Sequence, residues 1–215
     1  MATKTEKKNL IRQYIINAAK VYSSNLAGKT FLYVYGHEFF EVSFPTDHFL
    51  HLTGVESTLD KKDFYRKAKK EKLTNHQFYF SLRYPYANAR KKLPCLIRLS
   101  ELTTDVVCVL KDLHTKSIIY KLSVTNLEFT LGLVEDKSAV GKKRSNLFLP
   151  MSLRVKDKSI ENSTEGEIVD YIFSKSASES KYNNLLVFDE DKDIINSVRM
   201  LIDEKLLEKI DNKIK

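Results

Sequence analysis

The chain has no tryptophan, two cysteines, four prolines and six glycines in 215 residues, and each scarcity rules something out. Two cysteines cannot build a disulfide framework or a paired-cysteine metal site. Cys95 and Cys108 lie in the apolar stretches Leu-Pro-Cys-Leu-Ile and Val-Val-Cys-Val-Leu, where a buried free thiol is the expected state. Six scattered glycines leave no phosphate-cradling glycine loop. No nucleophile elbow, paired catalytic carboxylates or metal-ligand spacing is found, so neither metal nor cofactor is expected. Met1 to Lys8 is polar, and no apolar run follows it that is long enough for a signal sequence or a membrane span. The expectation is a cytoplasmic protein with no membrane partner.

The apolar and charged content is substantial. Hydrophobic residues make up 42% of the chain, including 12 Phe and 11 Tyr, enough for one core in a single domain over residues 1–215. Charged residues at 30% and few prolines argue against disorder. Basic residues exceed acidic ones by 36 to 28, a net +8 that favours solubility and attraction to phosphate backbones. That surplus does not by itself establish nucleic-acid binding.

Leu10, Ile11, Tyr14, Ile15, Ala18, Val21 and Tyr22 recur at helical spacing, with Thr3 and Glu6 spaced as a capping box and Gly28 as a stop. A hairpin follows, Phe31–Tyr35 and Glu38–Phe44, turning at Gly36-His37. Thr46 or Asp47 is read as the cap of a short helix ending at Gly54. Ser57 with Asp60, and Thr74 with Gln77, have capping-box spacing. Pro85 and Pro94 are read as breaks around the pieces Tyr86–Leu93 and Leu96–Leu102. From Thr104 the pattern alternates, predicting strands at Asp105–Lys111, Ser117–Ser123, Leu127–Val134, Leu147–Val155 and Ile168–Lys175. A last amphipathic helix carries Ile194, Ile195, Val198, Leu201, Ile202 and Leu206. The fold class is therefore α+β, with helices, an N-terminal hairpin, an antiparallel meander and a C-terminal helix.

Three groups of residues carry chemistry. His48 and His51 stand three apart on one short helix, and imidazole titrates near neutral pH, which suits acid–base work on a ribose hydroxyl or a phosphate. Packing beside the neighbouring aromatics is the structural alternative. In Pro150–Lys156, alternation puts Met151, Leu153 and Val155 on one face and Ser152, Arg154 and Lys156 on the other. Thr130 and Ser174 are expected to join that polar face, which either clamps a phosphate or is merely solvated. A basic band comes third: Lys62, Arg66 and Lys70 on one helix, with Arg90, Lys91, Lys92 and Lys142, Lys143, Arg144 elsewhere. Tyr84 and Tyr86, near Arg83 and Arg90, are candidates to stack bases.

The run Gly-Lys-Thr-Phe-Leu-Tyr-Val-Tyr-Gly from Gly28 and Asp-His-Phe-Leu-His-Leu-Thr-Gly up to Gly54 form one distinctive patch. Lys-Leu-Pro-Cys-Leu from Lys92, Asn-Leu-Glu-Phe-Thr-Leu-Gly-Leu from Asn126 and Pro-Met-Ser-Leu-Arg-Val-Lys-Asp-Lys-Ser from Pro150 are three more. Together, over Gly28 to Phe188, they resemble the phage-associated branch of the Barnase–EndoU–colicin–RelE-like nucleases of Gram-positive phages and mobile elements. The resemblance implies helices ahead of an antiparallel sheet whose open face cleaves RNA without metal, in the cytoplasm of a bacterial host. Read from the spacing and alternation above, the catalytic candidates are His48, His51, Ser152, Arg154 and Lys156, and they match the family only in kind, as a histidine pair with polar and basic side chains on the sheet. The implied partner is RNA or a host nucleic-acid-bound complex, with a cognate antitoxin or a CRISPR effector as protein candidates. Two classes stay open: a metal-independent endoribonuclease-like enzyme, or a phage-encoded inhibitor of a host defence system that binds a nucleic-acid effector complex.

Overall fold

A computed structural model of the chain describes residues 3–115, 118–137, 146–156, 160 and 166–213. Helix α1 (Lys4–Asn25) starts with the expected capping box, since the Glu6 N–H donates to Thr3 Oγ1 and the Thr3 N–H to the Glu6 carboxylate. Strands β1 (Lys29–Tyr35) and β2 (Glu38–Ser43) form the hairpin, and Gly36 takes a left-handed φ of +52° at its turn. A 3₁₀ turn over Thr46–His48 leads into α2 (Phe49–Thr53), which Gly54 ends at φ +75°. Neither Thr46 nor Asp47 supplies a side-chain cap there.

Helix α3 (Lys61–Lys69) is capped by Asp60, whose carboxylate accepts the N–H groups of Lys62 and Asp63 at 3.0 Å each. Ser57 is not that cap. It accepts from the Leu59 N–H and donates to the Gln77 carbonyl, tying together the two-stranded sheet β3 (Glu56–Ser57) and β4 (Phe78–Tyr79). Thr74 and Gln77 close a turn before β4 rather than opening a helix. Helix α4 (Tyr86–Ile97) runs unbroken through Pro94, contrary to the expected break. An interior proline costs about 3 kcal/mol. Ala89, Leu93 and Leu96 bury completely or nearly so, and α4 packs along α1, so packing outweighs the lost hydrogen bond.

The remaining strands are β5 (Cys108–His114), β6 (Ile119–Thr125), β7 (Phe129–Glu135), β8 (Leu147–Val155), β9 (Glu167–Ile168), β10 (Tyr171–Ser176) and β11 (Asn184–Phe188). With the hairpin they form a nine-stranded sheet in the order β11-β10-β1-β2-β8-β7-β6-β5-β9. The meander from β5 to β8 is antiparallel as the alternation predicts. The strand read at Ile168–Lys175 divides: Ile168, in β9, pairs with Cys108 at the free edge of the meander, while β10 crosses over to pair with β1. Among the described strands of this sheet, one junction is parallel, Glu41 with Leu147 and Val42 with Phe148, and it joins hairpin to meander.

Both faces of the sheet bury apolar side chains. Phe31, Tyr33, Phe40, Leu131 and Leu153 pack under α1, α3 and α4. Leu32, Val34, Tyr171 and Phe173 pack on the other face against Tyr182, Val198 and Ile210. The expected C-terminal helix is split into α5 (Asn196–Arg199) and α6 (Glu204–Asp211). Tyr182 is the cause: its N–H donates to the Leu201 carbonyl and its own carbonyl accepts from Asp203, holding the linking segment extended. Among the described residues no helix is long and apolar enough to cross a membrane.

Candidate functional site

Strand β8 pairs with β2 only at Leu147 and Phe148, and beyond that point α2 and α4 pack alongside β8 in place of a strand. Pro150 belongs in such a position, because it has no N–H to offer a ladder. Its carbonyl is taken by His48 Nδ1 at 2.8 Å, and since a carbonyl only accepts, Nδ1 carries the proton. A bulge falls at Met151: Leu133 pairs with Pro150, but Gly132 pairs with Ser152. The extra residue lets Phe148 and Leu153, five apart, both reach the core under the helices. It also returns Ser152 and Arg154 to the polar side.

Between this strand, the segment before α4 and α4 itself lies an open cleft of about 570 Å³. Residues 151–156 and Tyr120 line one wall, and Arg83, Tyr84, Asn88, Lys91 and Lys92 the other, with His51 between. Five cationic side chains reach it (Arg83, Lys91, Lys92, Arg154 and Lys156), and among the described residues no carboxylate lines it. Such a surface attracts an anion and holds it in place. Burial, aided by the charge of Lys61, lowers the His51 pKa below its ordinary value of 6.5, so the ring is neutral at pH 7. The Tyr84 ring stands under the Arg83 guanidinium at 5.5 Å, and Arg154 stands over Tyr120 at 5.8 Å. Among the described residues no three His, Cys, Asp or Glu side chains come together as a metal site.

The cleft therefore gathers His51, Ser152, Arg154 and Lys156 from the catalytic candidates, and Lys91 and Lys92 from the basic band. His48 does not line it; bound to Pro150, it stands 6.0 Å from His51, ring centre to ring centre. Lys62, Arg66 and Lys70 share the exposed side of α3, outside the cleft, and Arg66 pairs with Asp63 at 2.6 Å. Arg90 is exposed on α4 but does not line the cleft, and Lys142, Lys143 and Arg144 lie outside the described residues. Thr130 does sit opposite Arg154 in register, buried, donating to Thr125 Oγ1 at 2.9 Å. Ser174 does not join: β10 is separated from β8 by two strands, and Ser174 accepts from Asn184. Tyr86 packs against Phe80 and the core, so of the two tyrosine candidates only Tyr84 lines the cleft.

Asn88 and Tyr120 were not legible as site residues. Asn88, Lys91 and Lys92 fall at i, i+3 and i+4 on α4, one helical stripe within the expected piece Tyr86–Leu93, and Tyr84 joins them from the segment before the helix. Tyr120 depends on the partner strand: a Cβ at Gly132 would come within 3.0 Å of its ring, so the ring occupies space that only glycine leaves.

A family model described as phage-Barnase-EndoU-ColicinE5/D-RelE like nuclease 4 matches residues 14–191. The chain belongs to this family. The match takes in all of the patches that carry the resemblance and extends it into α1. The family is nuclease-like and phage-associated, and every element that lines the cleft falls within the matched span. No curated protein and no solved structure gave a match.

Proposed function

We propose that residues 1–215 act as one nuclease-like unit that binds single-stranded RNA in the cleft and cleaves it without a metal ion. The observation that carries this reading is the convergence of a half-buried histidine, its pKa lowered by burial, with five cationic side chains. His51 takes the proton of a ribose 2′-hydroxyl, and the freed oxygen attacks the adjacent phosphorus. The bond from phosphorus to the 5′-oxygen breaks, leaving a 2′,3′-cyclic phosphate, and the departing 5′-oxygen takes a proton from water to leave as a 5′-hydroxyl. Arg154 and Lys156 hold the phosphoryl oxygens as negative charge builds on them, the work otherwise done by a metal. Lys91 and Lys92 contact flanking phosphates, and Tyr84 offers a face on which a base can stack. His48 holds the turn before α2 against β8 and so sets where His51 stands.

The test is cleavage of a labelled RNA in the presence of chelator. His51→Ala and Arg154→Ala should each lower the rate by about 10²- to 10³-fold while the fold survives. Cleavage unchanged by both substitutions overturns the assignment. Tight binding with no cleavage identifies a binding module instead, the behaviour expected of an inhibitor of a nucleic-acid-guided defence system.

A further inference from the structure

Arg154 is a long side chain whose guanidinium must be held in one direction to grip a phosphate, and its surroundings provide a rest for it. Tyr120 on β6 is only 2% exposed, yet it lines the cleft, and the Arg154 guanidinium lies over its ring at 5.8 Å. Beneath the ring is Gly132 on β7, where even a Cβ would meet Tyr120 Cδ1 and Cε1 at 3.0 Å. Gly132 is also the last residue in register before the bulge that turns Ser152 and Arg154 to the polar side. Three adjacent strands thus form one stack: a missing side chain, an aromatic ring and a guanidinium.

We propose that Tyr120 is a positioning residue, its ring seated on Gly132 so as to aim Arg154 at the phosphate. The inference rests on reading Arg154 as a phosphate ligand. A planar guanidinium packs flat on an aromatic face while its edge N–H groups remain available to an anion. An aliphatic side chain in place of Tyr120 would keep the site apolar but offer no such face. The hydroxyl plays no part, so phenylalanine suffices.

The experiment measures affinity for a fluorescent single-stranded 2′-O-methyl RNA oligonucleotide, which binds but cannot be cut by 2′-hydroxyl attack, across a salt series. Arg154→Ala should lose one phosphate contact, lowering affinity about five-fold near 0.1 M salt and flattening the log–log salt slope by about 0.7. Tyr120→Leu should match it in both, Tyr120→Phe should restore both, and Gly132→Ala should lose both by displacing the ring. Tyr120→Leu added to Arg154→Ala should bring no further loss, whereas a merely structural role would weaken binding in either background. In the free protein, the ring-current shift of the Arg154 δ-protons should persist in Tyr120→Phe and vanish in Tyr120→Leu. If Arg154→Ala binds as tightly as the parent, the phosphate reading of the cleft fails and this inference with it. If Arg154→Ala weakens binding but Tyr120→Leu does not, or if Tyr120→Phe is as damaging as Tyr120→Leu, only the role of Tyr120 is overturned.

Discussion

Gly54→Ala and Gly28→Ala form a matched pair that separates backbone strain from crowding at the cleft. Both glycines hold left-handed backbone, at φ +75° and +77°. A Cβ at Gly28 meets nothing within 4 Å, while one at Gly54 meets Lys92 Cδ at 3.1 Å and the Ala89 backbone at 3.5 Å. Holding alanine in this region costs about 1–2 kcal/mol in either place. For a chain of this length that corresponds to a fall in Tm of about 2–8 °C. The additional contact at Gly54 is with the middle of a flexible side chain, so it adds little to the stability cost. It does displace Lys92, which lines the cleft. Gly54→Ala should therefore unfold with nearly the same midpoint in urea as Gly28→Ala, at an unchanged m-value. Unlike Gly28→Ala, it should weaken binding of the 2′-O-methyl oligonucleotide by about five-fold near 0.1 M salt, the loss of one phosphate contact. Equal affinity in the two variants would show that Lys92 does not touch the ligand, and the wall assigned to α4 would have to be withdrawn.

Cleavage should lose activity on the acid side with a midpoint below 6.5, because burial holds the His51 pKa down and the neutral ring is the working form; a midpoint above 6.5 in a pH profile of kcat/KM argues against His51 as base. The same depressed pKa favours the neutral ring in the folded chain, so its stabilising contribution is present above pH 6.5 and is lost as pH falls through the folded value, detectable as a urea midpoint that drops less steeply with acid in His51→Gln. Changing Lys91, Lys92 and Lys156 to Glu together should weaken oligonucleotide binding far more than changing Lys62, Arg66 and Lys70, which lie outside the cleft; equal losses in a salt titration would move the binding surface onto α3. Leu153→Ala should destabilise by about 2–5 kcal/mol in chemical denaturation, since the side chain is fully buried between sheet and helices.

What could be read from residues alone was whatever is local. The capping box at Thr3 and Glu6, the Gly36 turn and the antiparallel strands read between Asp105 and Val155 each depend on neighbours a few positions away, and each stands in the structure, the first strand starting at Cys108. The polar side of Ser152, Arg154 and Lys156 was legible for the same reason. Readings failed where a distant partner decides. Pro94 stays helical because α1 packs beside it, and the C-terminal helix splits because Tyr182 bonds to Leu201 and Asp203. The bulge at Met151 arises from satisfying Phe148 and Leu153 at once, and it takes Met151 out of the register that the strict alternation had assumed. The pairing of α4 with β8 joins Lys91 and Lys92 to Arg154, which no spacing along the chain announces.

The strand order has a consequence for how the molecule comes together. The N-terminal hairpin lies in the middle of the sheet, flanked by β10 on one side and β8 on the other, so Lys29 waits for Ser176 and Glu41 for Leu147. Ladders that close over more than a hundred residues pay their loop entropy before any pairing rewards it, which makes folding slow. During synthesis the aromatic strands Phe31–Tyr35 and Glu38–Phe44 emerge early with both outer edges unpaired, the state most open to wrong partners. The two walls of the cleft are likewise made far apart in time: Arg83 and Lys92 are in place before Arg154 and Lys156 have been translated. A ribosome-bound chain short of β8 therefore carries three of the five cationic residues of the cleft, and the cleft is complete only once the sheet has closed around its first hairpin.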